Sequence, residues 1–512
     1  VTPDLSMRPL QEMSEDAAQT ETAEVPTQTE TAEVPPAPYD PVNDMGSMYN
    51  IAQITRVYEA WFKGYSGRGV GVALIDTGVS PVPGLDGRYK LVNGPDLSFD
   101  SQIDELRYLD AYGHGTHMAS LIGGSDFGSP TAGEHPRAEL FAGTAPGAHI
   151  VNVKVGAADG STDVSQVIAA IDWVVKHRDE LNIRVLNLSF GTDSQQDYTI
   201  DPLAYAAEVA WHKGIVVVAA AGNDGTTVPT LANPAYDPYL IAVGGDDPMG
   251  TLTREDDTIP DFATRSTTKR NVDVIAPATH ILGLRVPGSF ADTHYPEARV
   301  GTRFFRGSGT SQAAALTSGF VAVLLEKSPK ATPDQIKDML RATSYGLPYE
   351  PGKPAMGKGL IDMNKALKAR LSRKHSQRWT RAMGTGSLEA ARGSMHVADE
   401  GGALTGEQDI FGKVWDGRRW SSEAWDESSW SGGYWNGSDW AGDGWTRDGW
   451  AALTWLGRRW SGVSWSGRRW SDDSWTGRTW TGRRWSGDTW TGRRWSGDSW
   501  TGRRWSSASY GN

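Results

Sequence analysis

Between about residue 49 and residue 370, short apolar runs alternate with longer amphipathic ones. Residues 69–75 (GVGVALI), 150–155 (IVNVKV), 184–188 (RVLNL) and 215–221 (IVVVAAA) are short and mostly apolar, which predicts buried strands. Residues 165–181, 202–213, 310–326 and 332–343 predict helices. The first of these gathers Val167, Ile168, Ile171, Val174 and Val175 on one face, and the last opens on Thr332-Pro333, a cap followed by proline at the first helical position. Apolar strands separated by helices predict an α/β fold, a doubly wound and mostly parallel sheet with helices on both faces. Such sheets do their chemistry at the carboxyl ends of the strands, so the polar residues that follow each strand carry the functional information.

The flanks read differently. Residues 1–48 hold ten Asp/Glu against one Arg, with seven Pro and a nine-residue repeat (QTETAEVP at 19–26 and again at 28–35). So little apolar surface cannot offset chain entropy, and this acidic leader is expected to be disordered. It carries about three-quarters of the net charge of −12, so that charge says little about the folded part. Residues 371–414 are polar without a sustained period and are expected to be a linker. From residue 415 to residue 505 every fifth residue is tryptophan, nineteen in all, and Tyr510 takes the next slot. On a helix, steps of five rotate by about 140° and would spiral the rings around the axis. In an extended chain they alternate faces, which predicts hairpins, a β-coil or an unfolded tail over residues 415–512. A pentapeptide-type solenoid fits poorly, because its small inward position is often Arg or Asp here.

There are no cysteines, which excludes disulfides and thiolate metal sites. No run of eighteen apolar residues occurs, so no membrane span is expected. The chain opens at Val1 without a signal peptide, which reads as a processed or truncated start.

Five polar motifs sit at predicted element ends: Ile75-Asp76-Thr77-Gly78, Asp110 to Ser120 (DAYGHGTHMAS), Asn187-Leu188-Ser189-Phe190-Gly191, Ala221-Gly222-Asn223-Asp224-Gly225 and Gly309-Thr310-Ser311. Each has a bland reading. Asp-Thr-Gly is also an aspartic-peptidase signature, but that mechanism needs two carboxylates sharing a proton and only one such triplet is present. His114 and His117 could ligate a metal, although no His-Glu-x-x-His accompanies them. Asp110 could cap a helix, Asn223 could be a turn residue, and Ser311 could belong to a helix cap.

Taken together, Asp, His, Asn and Ser in that order, each in a glycine-bearing turn, resemble the subtilisin-like serine peptidases of the subtilase family over residues 49–370. Further matches are Val153-Lys154-Val155, Ala242-Val243-Gly244-Gly245, Ile275-Ala276-Pro277 and residues 357–361. The resemblance implies a serine endopeptidase acting on proteins or peptides, with Ser311 as nucleophile, His114 as general base, Asp76 as its orienting carboxylate and Asn223 in the oxyanion hole. It implies an extended substrate held between the stretch around Gly160 and Ser189-Phe190-Gly191, with Ala232 at the floor of the pocket for the residue preceding the cut. It also implies a secreted, monomeric bacterial enzyme whose chemistry needs no cofactor or metal; structural calcium is common in the family, but no ligand set can be assigned here.

Gln312 and Ala315 stand where the family usually has Met and Pro, and residues 1–48 are too short and polar to be its folded propeptide. The Trp repeat is expected to be energetically independent of the peptidase and to attach it to a surface, cell wall or polysaccharide. Nucleic acid is the less favoured ligand, despite eleven Arg from residue 450 onward. The rival reading is an adhesion or binding protein on an inactive peptidase scaffold.

Overall fold

The structure, a computed structural model, describes residues 37–440 apart from 127–131, 134, 267–269, 349–354, 373–375 and 400–401. Its centre is a seven-stranded sheet: β1 (Gly71–Asp76), β2 (Leu91–Asp96), β3 (His149–Lys154), β4 (Ile183–Leu188), β5 (Val216–Ala220), β6 (Ile241–Asp246) and β7 (Val274–Pro277). The order is β2-β3-β1-β4-β5-β6-β7 and every neighbouring pair is parallel. β1, β3, β4 and β5 are the four strands expected from the apolar runs. β2, β6 and β7 escape a hydropathy reading for visible reasons. LVNGPD is a polar edge strand interrupted by Gly and Pro, IAVGGD carries two glycines, and VIAP has only four residues. The chain lays β2 and β3 on one side of β1 and β4 to β7 on the other, so the winding reverses at β1 and a crevice opens at its carboxyl end.

Two short helices, α1 (Met48–Ile54) and α2 (Tyr58–Phe62), precede the sheet, and α3 (His114–Gly123), α4 (Val164–His177) and α5 (Pro202–His212) connect its strands. An antiparallel unit of β8 (Ile281–Leu284), β9 (Arg299–Val300) and β10 (Phe304–Gly307), with α6 (Phe290–His294) between, leads into α7 (Thr310–Lys327); α8 (Pro333–Thr343) and α9 (Met363–Lys368) follow. α7 crosses β4 to β7 and packs on α3, while α4 and α5 form a second pair against β1 and β5. Every residue of α7 from Thr310 to Leu325 is buried, as a helix apolar on all sides must be. It runs unbroken through Ala315, where a proline would have removed a backbone donor. Thr332 and Gln335 form a capping box ahead of Pro333, the start signal legible in the sequence.

The boundaries of the folded part differ from expectation at both ends. Residues 37–48, read as part of the leader, are packed: Ala37 bridges Val300, Tyr39 lies 4.2 Å from Phe304 between ring centroids, and Asp44 pairs with Arg306 at 2.6 Å. An aromatic ring and a paired carboxylate supply what the Pro- and Glu-rich stretch before them lacks.

Residues 371–414 are not a linker. They hold α10 (Leu388–Arg392) and bury Met395, Val397, Leu404, Ile410 and Phe411 in the main core. The first six tryptophans of the repeat continue this packing through α11 (Gly417–Trp425) and a small sheet of Trp430–Ser431, Tyr434–Trp435 and Ser438–Asp439. Trp415 and Trp420 lie 4.9 Å apart, and Trp435 stacks on Trp440 at 5.6 Å. Trp420 and Trp435 both donate their indole N–H to one Asp172 oxygen on α4, at 2.9 and 2.7 Å. The repeat up to Trp440 is therefore not energetically independent of the sheet domain. The other thirteen tryptophans, from Trp445 on, lie outside the described residues.

Burial pushes the Asp172 carboxyl up to about 6, against the lowering pull of the Trp420, Trp435 and Ser429 hydrogen bonds. A carboxyl raised in the folded state contributes stability fully present below its ordinary value near 3.8 and lost as pH rises through about 6. Asp172→Asn does not titrate. The stability of the parent relative to this variant, measured by urea unfolding, should therefore fall by on the order of 3 kcal/mol between pH 4 and pH 8. A difference independent of pH contradicts this account of the Trp cluster.

Candidate active site

β1 delivers Asp76 to the crevice, where the chain turns at Gly78 with φ +105°. A side chain at Gly78 would also strike the Tyr108 and Leu109 carbonyls at 2.9 and 2.7 Å, so only glycine serves there. Asp76 Oδ1 accepts from the Thr77 backbone N–H at 2.8 Å and lies 2.7 Å from His114 Nδ1. Both side chains are buried. A carboxylate can only accept, so Nδ1 carries the proton and Nε2 is the basic nitrogen of the neutral ring.

His114 opens α3, and Asp110 sets where that helix starts. One Asp110 oxygen accepts from Gly113 N–H at 2.6 Å and Thr77 Oγ1 at 2.8 Å, the other from Thr116 N–H at 2.7 Å. Thr77 Oγ1 in turn accepts from Gly115 N–H at 2.9 Å. The capping role open to Asp110 in the sequence is thus the one it has, and Thr77 links that cap to the Asp76 turn. Thr77 went unread in the sequence because its Asp-Thr-Gly context points first to the aspartate.

His117 faces elsewhere. Its Nε2 lies 3.1 Å from the Phe305 carbonyl, and burial, aided by the nearby His114, pulls its pKa down to about 4, so it stays neutral. The two histidines thus meet different partners, Asp76 and the Phe305 carbonyl. Among the described residues no group of three or more His, Cys, Asp or Glu could hold a metal.

Ser311 lies in the first turn of α7, with Oγ 3.3 Å from the Ser189 carbonyl. Its own carbonyl accepts from Ser189 Oγ at 3.2 Å, and that hydroxyl accepts from Asn187 Nδ2 at 2.9 Å. Asn187 Oδ1 accepts from Ser318 Oγ two turns further along α7, also at 2.9 Å. This buried chain of hydrogen bonds locks the turn that carries Ser311 to the end of β4.

Asn223 follows β5, and its Oδ1 accepts both the Thr310 backbone N–H at 2.8 Å and Thr310 Oγ1 at 3.0 Å. Two donors on one atom fix the orientation of the amide, leaving Nδ2 as its donating end beside the Ser311 turn. Gln312, the residue after the serine, is fully buried, and neither end of its amide meets a partner among the described residues.

Gly160 has φ +82°, and a side chain there would meet the Tyr112 ring at 2.9 Å. The segment Ser189-Phe190-Gly191 continues from β4 and is tied to Asn233 by a two-way Thr192–Asn233 backbone bridge at 3.0 and 2.9 Å. The Ala232 methyl stands between Gly191 and Gly222. It lies 2.7 Å and 3.4 Å from where a Cβ on each would be, so it fills the gap the two glycines leave. Asn223, Gly191 and Ala232 are partly exposed, whereas Asp76, His114 and Ser311 lie beneath the surface.

Residues 67–386 match the model of the subtilase family. The chain is 34% identical over 285 residues to the serine protease AprX of Bacillus subtilis (strain 168), covering 54% of this chain and 61% of that protein. It is 30% identical over 321 residues to subtilisin amylosacchariticus of Bacillus subtilis subsp. amylosacchariticus, covering 62% of this chain and 70% of that one. Among solved structures it is similar to fervidolysin from Fervidobacterium pennivorans, a keratinolytic enzyme related to subtilisin. That match has 26% identity and a TM-score of 0.49 over 66% of this chain and 48% of the other. The chain thus spans about three-fifths of AprX and about half of fervidolysin.

Proposed function

The chain belongs to the subtilase family, and on that premise we propose that it is a serine endopeptidase cleaving peptide bonds in proteins. The observation that carries this reading is the 2.7 Å contact between His114 Nδ1 and the buried Asp76 carboxylate, which leaves Nε2 as the basic nitrogen. Ser311 Oγ attacks the scissile carbonyl and gives its proton to His114 Nε2. Asp76 keeps the ring in the required tautomer and stabilises the imidazolium that forms. His114 then returns the proton to the leaving amine, and a water repeats the sequence on the acyl-enzyme. Negative charge on the carbonyl oxygen is met by Asn223 Nδ2 and the Ser311 backbone N–H at the positive end of α7.

The substrate lies extended between the Gly160 loop and Ser189-Phe190-Gly191, which offer main-chain groups on either side. The Ala232 methyl makes the pocket before the cut shallow, favouring small or flexible side chains there. We read the enzyme as a secreted monomer; no described helix is long and apolar enough to cross a membrane.

A fluorophosphonate probe tests the reading. It should attach to Ser311 and not to the Ser311→Ala variant, whereas an adhesion protein on an inactive scaffold takes up no label. Asn223→Ala should lower kcat by roughly 10²–10³, about 3–4 kcal/mol, with KM little changed. A fall in affinity with kcat retained makes Asn223 a substrate contact instead.

For the rest of the repeat we infer attachment to an insoluble polymer such as cell-wall polysaccharide, through many weak aromatic contacts acting together. Support comes from the sequence, thirteen further tryptophans at one spacing after Trp440. Truncation after Trp440 keeps the packed units, so it should preserve cleavage of a soluble peptide and abolish co-sedimentation with cell-wall material. A full-length protein that stays in the supernatant contradicts this role.

A further inference from the structure

The two proposed walls of the substrate cleft are far apart in sequence, and both are reached from behind by one short stretch of the C-terminal extension. Thr192, next to Gly191, donates Oγ1 to the Ala391 carbonyl at 2.6 Å. Asp193 accepts the Ser394 backbone N–H and Oγ, both at 2.7 Å. Between them, Arg392 Nε donates to Asp163 Oδ2 at 2.7 Å, with both side chains fully buried. Asp163 lies three residues after Gly160 and caps α4, its other oxygen accepting the Ser165 backbone N–H at 2.9 Å.

The geometry is close and specific. Arg392 Nη1 also donates to the Gly406 carbonyl at 2.8 Å and to Glu389 at 3.1 Å, and Nη2 donates to the Gln408 carbonyl. All three nitrogens of its planar fork are therefore engaged, a pattern that lysine cannot copy. Gly393 has φ +61°, and a Cβ there would meet Asp193 Oδ1 at 2.2 Å, so the chain approaches as closely as only glycine allows. The Ile410 N–H donates to Ser165 Oγ at 2.9 Å, a second tie on the Gly160 side.

We propose that residues 391–394 are a positioning element of the substrate cleft, with Arg392 holding the Gly160 wall and Ala391 and Ser394 holding the Ser189–Gly191 wall at a fixed separation. This rests on the peptidase reading above and adds to it that the extension sets how the enzyme grips an extended substrate. Neither Arg392 nor its neighbours touch the reacting atoms. Loosening them should therefore spare substrates too short to reach both walls and weaken those that span them.

The test compares acetylalanine p-nitrophenyl ester with a tetra-alanine p-nitroanilide on the full chain and on Arg392→Met, Arg392→Lys and Thr192→Val. Thr192→Val keeps shape and removes one hydroxyl, so it remains informative if Arg392→Met folds poorly. For Arg392→Met and Thr192→Val, kcat/KM on the long substrate should fall roughly tenfold, mostly through KM, with the ester changed by less than about twofold. Arg392→Lys should recover part of the loss, since it restores charge without the fork. Equal losses on both substrates mean a structural role only, and no loss on either means no role; both overturn the proposal. A parent that takes no fluorophosphonate label fails at the peptidase reading itself, which that separate result identifies.

Discussion

A carboxylate and an imidazole held together away from water constrain everything near them. Removing the charge of Asp76 from solvent costs free energy unless donors surround it, and here Thr77 N–H and His114 Nδ1 converge on one oxygen. Those donors keep their places because Thr77 and Asp110 tie the turn after β1 to the first turn of α3. The strand order sets β4 beside β1, and the end of β4 in turn holds the start of α7. A parallel sheet with glycine-bearing turns at its carboxyl edge thus fixes Asp76 against His114 on α3 and Ser311 on α7 against the end of β4.

The second constraint is cover. α4 and α5 close one side of the sheet, and Tyr205 and the carboxyl of Asp172 on them are covered by the C-terminal extension. The extension buries them: Tyr205 donates to the Ser421 carbonyl at 2.7 Å, and Asp172 receives two indoles. Among the described residues the tryptophan spacing of five does not trace one regular element. Up to Trp440, Trp420 and Trp425 lie on α11 and Trp430 and Trp435 on the small sheet. A Glu427 carboxylate between Arg178 and Lys213, 2.7 and 2.9 Å away, fastens the outer edge of that cluster to α4 and α5.

Much of this was legible in the sequence, for physical reasons that differ by element. Buried parallel strands show as apolar runs, and Thr332-Pro333 announces a helix start because capping is a local event. Asp76, His114, Asn223 and Ser311 stand out because each sits in a turn that needs glycine. What could not be read is whatever depends on a distant partner. Arg392 lies in a polar stretch and becomes a core residue only because Asp163, more than two hundred positions earlier, waits for it. Thr77 looks like an ordinary turn residue until α3 is placed over it, and the cap that Asp110 offers in the sequence gains its tie to Thr77 only then. The first tryptophans look exposed for the same reason: a period of five has no face until the receiving surface of α4 is known.

The central claim is that Asp76, His114 and Ser311 work as one unit. The most direct measurement is the residual hydrolysis of a tetra-alanine p-nitroanilide by Ser311→Ala, His114→Ala and the double variant, after removal of any parent enzyme. The account predicts that each single change lowers kcat to nearly the same floor and that combining them lowers it little further, because a base without its nucleophile has nothing to activate. Losses that multiply in the double variant would show two independent contributions and would contradict it.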